Sequence, residues 1–231
     1  MTRWFAGYDV ADHLTASSVP STLAGGAGTA GEEVPSGRCG ARAAWLTGQS
    51  SWRHSRLSPA QEDVLADLAG LGYVPVPGGF PYNRAAMRLP YRPEPVLAAS
   101  VRNTAQYVAA RTSARFADDV VRHLQPLVDA TEHHLLLLCG STGAQLLATA
   151  APRLRVRAGL TVTAVALGPV GARPEAAPGL QVRVLQGDRD LVSRWGYRGT
   201  PDLVVPGRHL GYATSAQVRA EVLRVAREVL A

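Results

Sequence analysis

The stretch LLLLCGSTGAQLL, residues 135–147, joins two kinds of regular structure at one point. Its leucines and Cys139 form an apolar run without alternation, which reads as a strand buried on both faces. Gly140 to Gly143 read as a tight turn, and Ala144 to Ala150 open a helix. Ser141 stands at the apex. Cys139 and Gly143, two positions to either side, are small enough for the backbone to bend sharply, and the bend lifts the serine hydroxyl clear of the strand. A helix N-terminus behind that hydroxyl favours negative charge developing beside it.

The same alternation continues outward from this point. The strand occupies His134 to Cys139. Toward the C-terminus, Leu160–Leu167, Leu180–Gln186 and Asp202–Val205 read as further strands. Ser215–Leu230 reads as an amphipathic helix, with Val218, Val222, Val225 and Val229 along one stripe. Toward the N-terminus, Ala41–Leu46 reads as a buried strand ended by TGQSS. Ser58 is the expected N-cap of a helix with Pro59 at its first position and Glu62 completing the capping pattern. Val64, Leu65, Leu68 and Leu71 follow at helical spacing, and Gly72 ends the helix. Tyr73–Val76 reads as a strand and Gly78–Pro95 as irregular. A long helical stretch is expected over Val96–Val128, broken near Pro126. Strands alternating with helices predict an α/β fold, a mostly parallel sheet flanked by helices on both faces, with functional residues in the loops beyond the carboxyl ends of the strands. Residues 41–231 form this domain. Residues 1–40 are a poorly defined N-terminal extension, and SSVPSTLAGGAGTAGEEVPSG within them reads as loop. GGAGTAG lacks both the preceding strand and the Lys-Ser/Thr ending of a phosphate loop.

Composition narrows the function classes. Of 231 residues, 46% are hydrophobic and 18% charged, which permits a sizeable core. The formal charge is +6, and every basic residue is Arg, with no Lys and no Ile. That joint absence reads as GC-rich coding. The Arg residues are scattered rather than clustered into a stripe, which argues against a nucleic-acid role. Cys39 and Cys139 provide no disulfide framework, and Cys139 reads as a buried thiol. No apolar run is long enough to span a bilayer, and MTRWFAGYDVADHL lacks the apolar region of a signal peptide, so a cytoplasmic location is expected. No His/Cys/Asp cluster has metal-ligand spacing, and neither a metal nor a cofactor is expected.

Two more segments follow strands. VLQGDRDLVS, residues 184–193, places Asp188 and Asp190 after a strand ending at Gly187. DLVVPGRHLGY, residues 202–212, places His209 just past the last strand. With Ser141, these stand in the order Ser, acid, His, and here the chain resembles the α/β-hydrolase superfamily over residues 41–231. The resemblance makes Ser141 the nucleophile, Asp190 the acid and His209 the general base. LTGQSS, residues 46–51, resembles the oxyanion segment, which implies that the backbone N–H groups of Gln49 and Thr142 hold the oxyanion. Two positions depart from the usual pattern: Cys139 replaces the first Gly of G-x-S-x-G, and Thr47 stands where many members carry His. Only PVGARPEAAPG fills the place where many members insert a helical cap, so a minimal, open site is expected, as in small esterases and cutinase-like enzymes.

Asp188 competes locally with Asp190, with capping the turn or pairing with Arg189 or Arg194 as its other roles; Glu175 is a more remote acid. His133 and His134 open a strand and so lie at the wrong end of the sheet. His123 belongs to a helix, and His54 follows the oxyanion segment. Phe80, Tyr82, Met87 and Tyr91, in a loop after a strand, could form one pocket wall. The expected activity is hydrolysis of a small-molecule ester or thioester through an acyl-serine intermediate. The alternative is a catalytically inactive α/β-hydrolase-like binding or scaffold protein. Oligomeric state is not legible in the sequence.

Overall fold

A computed structural model describes residues 38–51, 54–82, 90–175 and 178–231. Six parallel strands form the central sheet: β1 (Cys39–Thr47), β2 (Val74–Gly79), β3 (Thr131–Gly140), β4 (Thr161–Leu167), β6 (Leu180–Gly187) and β8 (Leu203–Val205). Their spatial order is β2-β1-β3-β4-β6-β8. Two short strands, β5 (Gly171–Ala172) and β7 (Tyr197–Arg198), pair separately. The helices are α1 (Pro59–Gly70), α2 (Val96–Thr112), α3 (Ala114–Asp129), α4 (Gly143–Ala150), α5 (Leu191–Gly196) and α6 (Ala216–Leu230). This is the α/β class expected from the sequence. No cap is evident in the connection between β4 and β6, which carries only β5 among its described residues.

The leucine run of β3 is continuous because both of its faces are covered. Leu135, Leu137 and Cys139 join one core with α3, α4 and the end of α2. Leu136 and Leu138 join the other with α1 and α6. Successive strand side chains point to opposite faces, so neither set could become polar without exposing a polar group to a core. Val218, Val222 and Val225 of α6 are buried in the second core, while Val229 is only half-buried.

Several local expectations shift. β1 begins at Cys39, paired with Thr131, two residues before the strand start expected at Ala41; residues 1–37 lie outside the described residues. The capping box of α1 uses Gln61, not Glu62. The Ser58 hydroxyl accepts from Gln61 N–H at 3.4 Å, and Gln61 Oε1 accepts from Ser58 N–H at 2.9 Å, while Glu62 reaches Arg56 at 3.8 Å. β2 runs to Gly79, past the expected end at Val76. The long helix is two helices, and they part at Ser113 rather than at Pro126. Ser113 has extended dihedrals and caps α3 by accepting from Phe116 N–H at 3.2 Å. Pro126 stays inside α3, where Leu124, Leu127 and Val128 are held in the core on either side of it.

The chain passes from β1 outward to β2 and then returns across β1 to β3. Strand order therefore reverses between β1 and β3, which opens a crevice beyond Thr47 and Gly140.

Candidate active site

Ser141 sits at that crevice with φ 51°, a left-handed conformation uncommon for a residue with a side chain. Its neighbours over-determine the turn. Ser141 N–H donates to Leu167 O at 3.2 Å, and its carbonyl accepts from Val170 N–H at 3.1 Å. A Cβ on Gly143 would lie 1.8 Å from Leu46 O, so only glycine lets α4 start this close to β1. Cys139 is wholly buried, and burial pushes its thiol well above the usual range, so it is an inert packing group.

The loops after β6 and β8 are knitted together. Asp188 N–H donates to Val205 O at 2.9 Å, and Arg189 N–H donates to Gly207 O at 3.1 Å. This brings Asp190 and His209 side by side. Asp190 is fully buried, and both of its oxygens lie 3.0 Å from His209 Nδ1. Asp190 also caps α5, accepting from Ser193 N–H at 2.9 Å. Tyr212 donates its hydroxyl to Asp190 Oδ2 at 2.7 Å and accepts from Gly187 N–H at 2.7 Å. Burial alone would raise the Asp190 carboxyl. The donors from His209, Ser193 and Tyr212 outweigh it and hold the group below its ordinary value. A carboxylate only accepts, so the Nδ1 proton of His209 points to Asp190, and the imidazole in its neutral form then presents a bare Nε2. Nε2 lies 3.1 Å from Ser141 Oγ. This arrangement can take the serine proton and stabilise the resulting imidazolium.

The competing groups lie elsewhere. Asp188 is exposed, accepts from Gly207 N–H at 2.9 Å and stands 3.8 Å from Arg189. Glu175 is exposed. His123 is buried in α3 against Phe80, with Nδ1 2.8 Å from Asp119 O. His133 and His134 lie at the opening of β3.

On the other side of Ser141 lies the segment after β1. A Cβ on Gly48 would meet Thr142 Oγ1 at 2.1 Å and Asn103 Oδ1 at 2.5 Å, so this loop presses against both the serine turn and α2. Gln49 and Thr142 are both buried. Gln49 N–H donates to Gln106 Oε1 at 2.9 Å. Thr142 immediately precedes α4, where the first N–H groups of a helix have no partner within it.

The expected pocket wall needs correction. Phe80 and Tyr82 belong to the core, 3% and 0% exposed, and Tyr82 donates its hydroxyl to Trp45 O at 3.0 Å. The chain turns inward after β2, so these rings fill space beneath the sheet edge. Met87 lies outside the described residues. Tyr91 is exposed and meets the His54 ring edge-on at 5.9 Å; His54 Nε2 lies 3.1 Å from Arg92 O.

Sequence reading passed over Tyr212 and Gln106. Tyr212 follows His209 by three residues in a loop, with no periodicity to mark it. Gln106 shares its helix face with Ala109 and Ala110, the other buried positions of α2, a face that the larger apolar residues of the helix do not mark. Among the described residues no three His, Cys, Asp or Glu side chains are grouped to hold a metal ion, and no helix is long and apolar enough to cross a membrane. No family model, curated protein or solved structure matches this chain.

Proposed function

We propose that this chain is a serine hydrolase of the α/β-hydrolase type, cleaving an ester or thioester through an acyl-Ser141 intermediate. One observation carries the reading: Asp190, His209 and Ser141 form a continuous hydrogen-bonded relay of 3.0 and 3.1 Å, with its serine on a left-handed strand-to-helix turn. A turn of that conformation costs on the order of 1–3 kcal/mol and persists only where its surroundings enforce it.

The chemistry follows from the relay. Ser141 Oγ attacks the acyl carbon while its proton moves to His209 Nε2. The carbonyl oxygen becomes an oxyanion, with Thr142 N–H at the start of α4 as one donor to it. Collapse expels the alcohol or thiol, which takes the proton from His209. Water then attacks the acyl-enzyme, giving its proton to His209, and the acid leaves as Ser141 recovers its hydrogen. Asp190 keeps the imidazole in the useful tautomer throughout. Ser fits this chemistry, whereas epoxide and dehalogenase chemistry on this fold type uses an Asp nucleophile. A crevice with no cap among the described residues suits substrates that approach from open solvent.

The test is labelling by a fluorophosphonate probe, compared across wild type, Ser141→Ala and His209→Ala. Labelling of wild type alone, with turnover in a series of acyl esters and thioesters, is the expected result. A folded wild type that neither labels nor turns over any of the series would overturn the reading and leave a non-catalytic binding module.

A further inference from the structure

The oxyanion side of the site differs from its expected form in one respect. Gln49 N–H, the donor that the resemblance implied, already donates to Gln106 Oε1. The Gln106 side chain is completely buried, and its Nε2 has no hydrogen-bond partner among the described residues. A buried amide donor left without an acceptor keeps its desolvation penalty uncompensated, and such a group calls for an explanation. Gln106 is not alone. Asn103, one turn earlier on the same face of α2, and Thr142, beside Ser141, also bury oxygens that have no partner among the described residues. Gly48 lies between those two oxygens. The polar groups of α2 thus converge where the segment after β1 meets the serine turn.

We infer that the side-chain amide of Gln106, rather than the backbone amide of Gln49, is the second oxyanion donor of this site, together with Thr142 N–H. This rests on the serine-hydrolase reading above. Gln106 Oε1 takes the Gln49 amide as an anchor. Because a carboxamide is planar, that anchor fixes the direction of Nε2, which stands beside the Gln49 amide with both hydrogens unspent. A buried donor held in place before charge develops stabilises the transition state without reorganisation, and carboxamide side chains serve this role in acyl transfer. The unsatisfied donor in the resting state is the complement of an anion that exists only during reaction.

Two variants separate donor from anchor. Gln106→Glu keeps an acceptor for Gln49 N–H but removes the Nε2 donor. Gln106→Met removes both and releases the Gln49 amide. Each is expected to lower kcat about a hundredfold, with KM nearly unchanged. Affinity for an alkyl boronic acid that forms a tetrahedral adduct on Ser141 should fall in parallel. A Gln106→Glu enzyme with wild-type kcat would show that Gln106 only anchors Gln49, and a Gln106→Met enzyme with unchanged or raised kcat would show that it merely occupies the Gln49 amide; either overturns the inference. If neither variant folds, NMR of wild type decides. Boronate adduct formation should shift the Gln106 side-chain NH2 protons downfield, and a shift at Gln49 N–H instead sinks the proposal. A wild type that fails to label with fluorophosphonate defeats the hydrolase reading itself; a labelled wild type matched by both Gln106 variants defeats only this inference.

Discussion

The two sides of Ser141 are built in opposite ways. On the acid side, every oxygen and nitrogen of the relay has its partner: Asp190 accepts from His209, Ser193 and Tyr212, and Tyr212 in turn accepts from Gly187. On the other side, Thr142, Asn103 and Gln106 bury polar atoms without partners among the described residues. The first side holds a charge that is permanent, the Asp190 carboxylate, and a permanent charge needs permanent donors. On the proposed hydrolase reading, the second faces the place where charge would appear only in passing. A fully satisfied network there would leave nothing to offer a transient anion. On that reading the contrast is one of two forms of preorganisation, saturation around a resident charge and withheld bonds around an expected one.

The sharpest way to break the saturated side is Asp190→Asn. Asn keeps the shape of Asp but offers an N–H where His209 needs an acceptor, so the imidazole loses its useful tautomer. On the proposed hydrolase reading, the rate of ester turnover or probe labelling should fall on the order of ten-thousandfold. Boronate affinity on the opposite side should fall far less, because the proposed donors to the tetrahedral oxygen are untouched. Equal losses in both measurements would erase the contrast between the two sides.

Gly168→Ala attacks the same side through packing. Gly168 has φ 55°, and an added Cβ would lie 2.3 Å from Tyr212 Cε2 and 2.7 Å from Asp190 Oδ2. Overpacking and left-handed strain together should cost roughly 2–4 kcal/mol in urea unfolding. On the proposed reading, turnover by any folded variant should also be slowed, because Asp190 and Tyr212 must move apart. Wild-type stability in this variant would mean that the network is looser than its distances imply.

The smallest effect sharpens the comparison by pH. Tyr212→Phe removes one donor to Asp190 and leaves the buried Gly187 N–H without its acceptor. The cost at pH 7 should be roughly 1–3 kcal/mol. The Asp190 carboxyl is held below its ordinary value in the folded protein. Its stabilising contribution is therefore present above the unfolded value near 3.9 and is lost as pH falls through the folded one. Losing the Tyr212 donor raises the folded value and shrinks that contribution. Urea unfolding at pH 7 and pH 3 should thus show the gap between variant and wild type narrowing at the acid end, and a gap independent of pH would show that Tyr212 supports only Gly187.

α2 shows where sequence reading met its limit. Val96, Leu97, Val101 and Val108 are exposed, Leu97 at 79% and Val101 at 63%, while Gln106 is fully buried. Periodicity alone would have turned this helix the other way. Its orientation comes from Ala109 and Ala110, which pack in the core, and from Thr149, whose hydroxyl reaches Ala110 O at 3.2 Å. The sequence reading places the break of the long helix near Pro126, because sequence shows the cost of a proline but not the core that outweighs it.

By itself the sequence determined the parallel sheet, the serine turn and the order of Ser141, Asp190 and His209, because each depends on local pattern: a leucine run buried on both faces, small residues around a bend, polar groups just beyond strand ends. It also chose Asp190 over Asp188 only by likeness, whereas the structure separates them by burial. Only tertiary structure decided that Phe80 and Tyr82 turn into the core, that Tyr212 completes the acid side, and that Gln106 meets Gln49 across 57 positions of chain. Those pairings form between segments that the sheet brings together, the loops after the neighbouring strands β6 and β8 for Tyr212 and the crossover from β2 to β3 for Gln106, and no periodicity within a single segment encodes which partner it will meet.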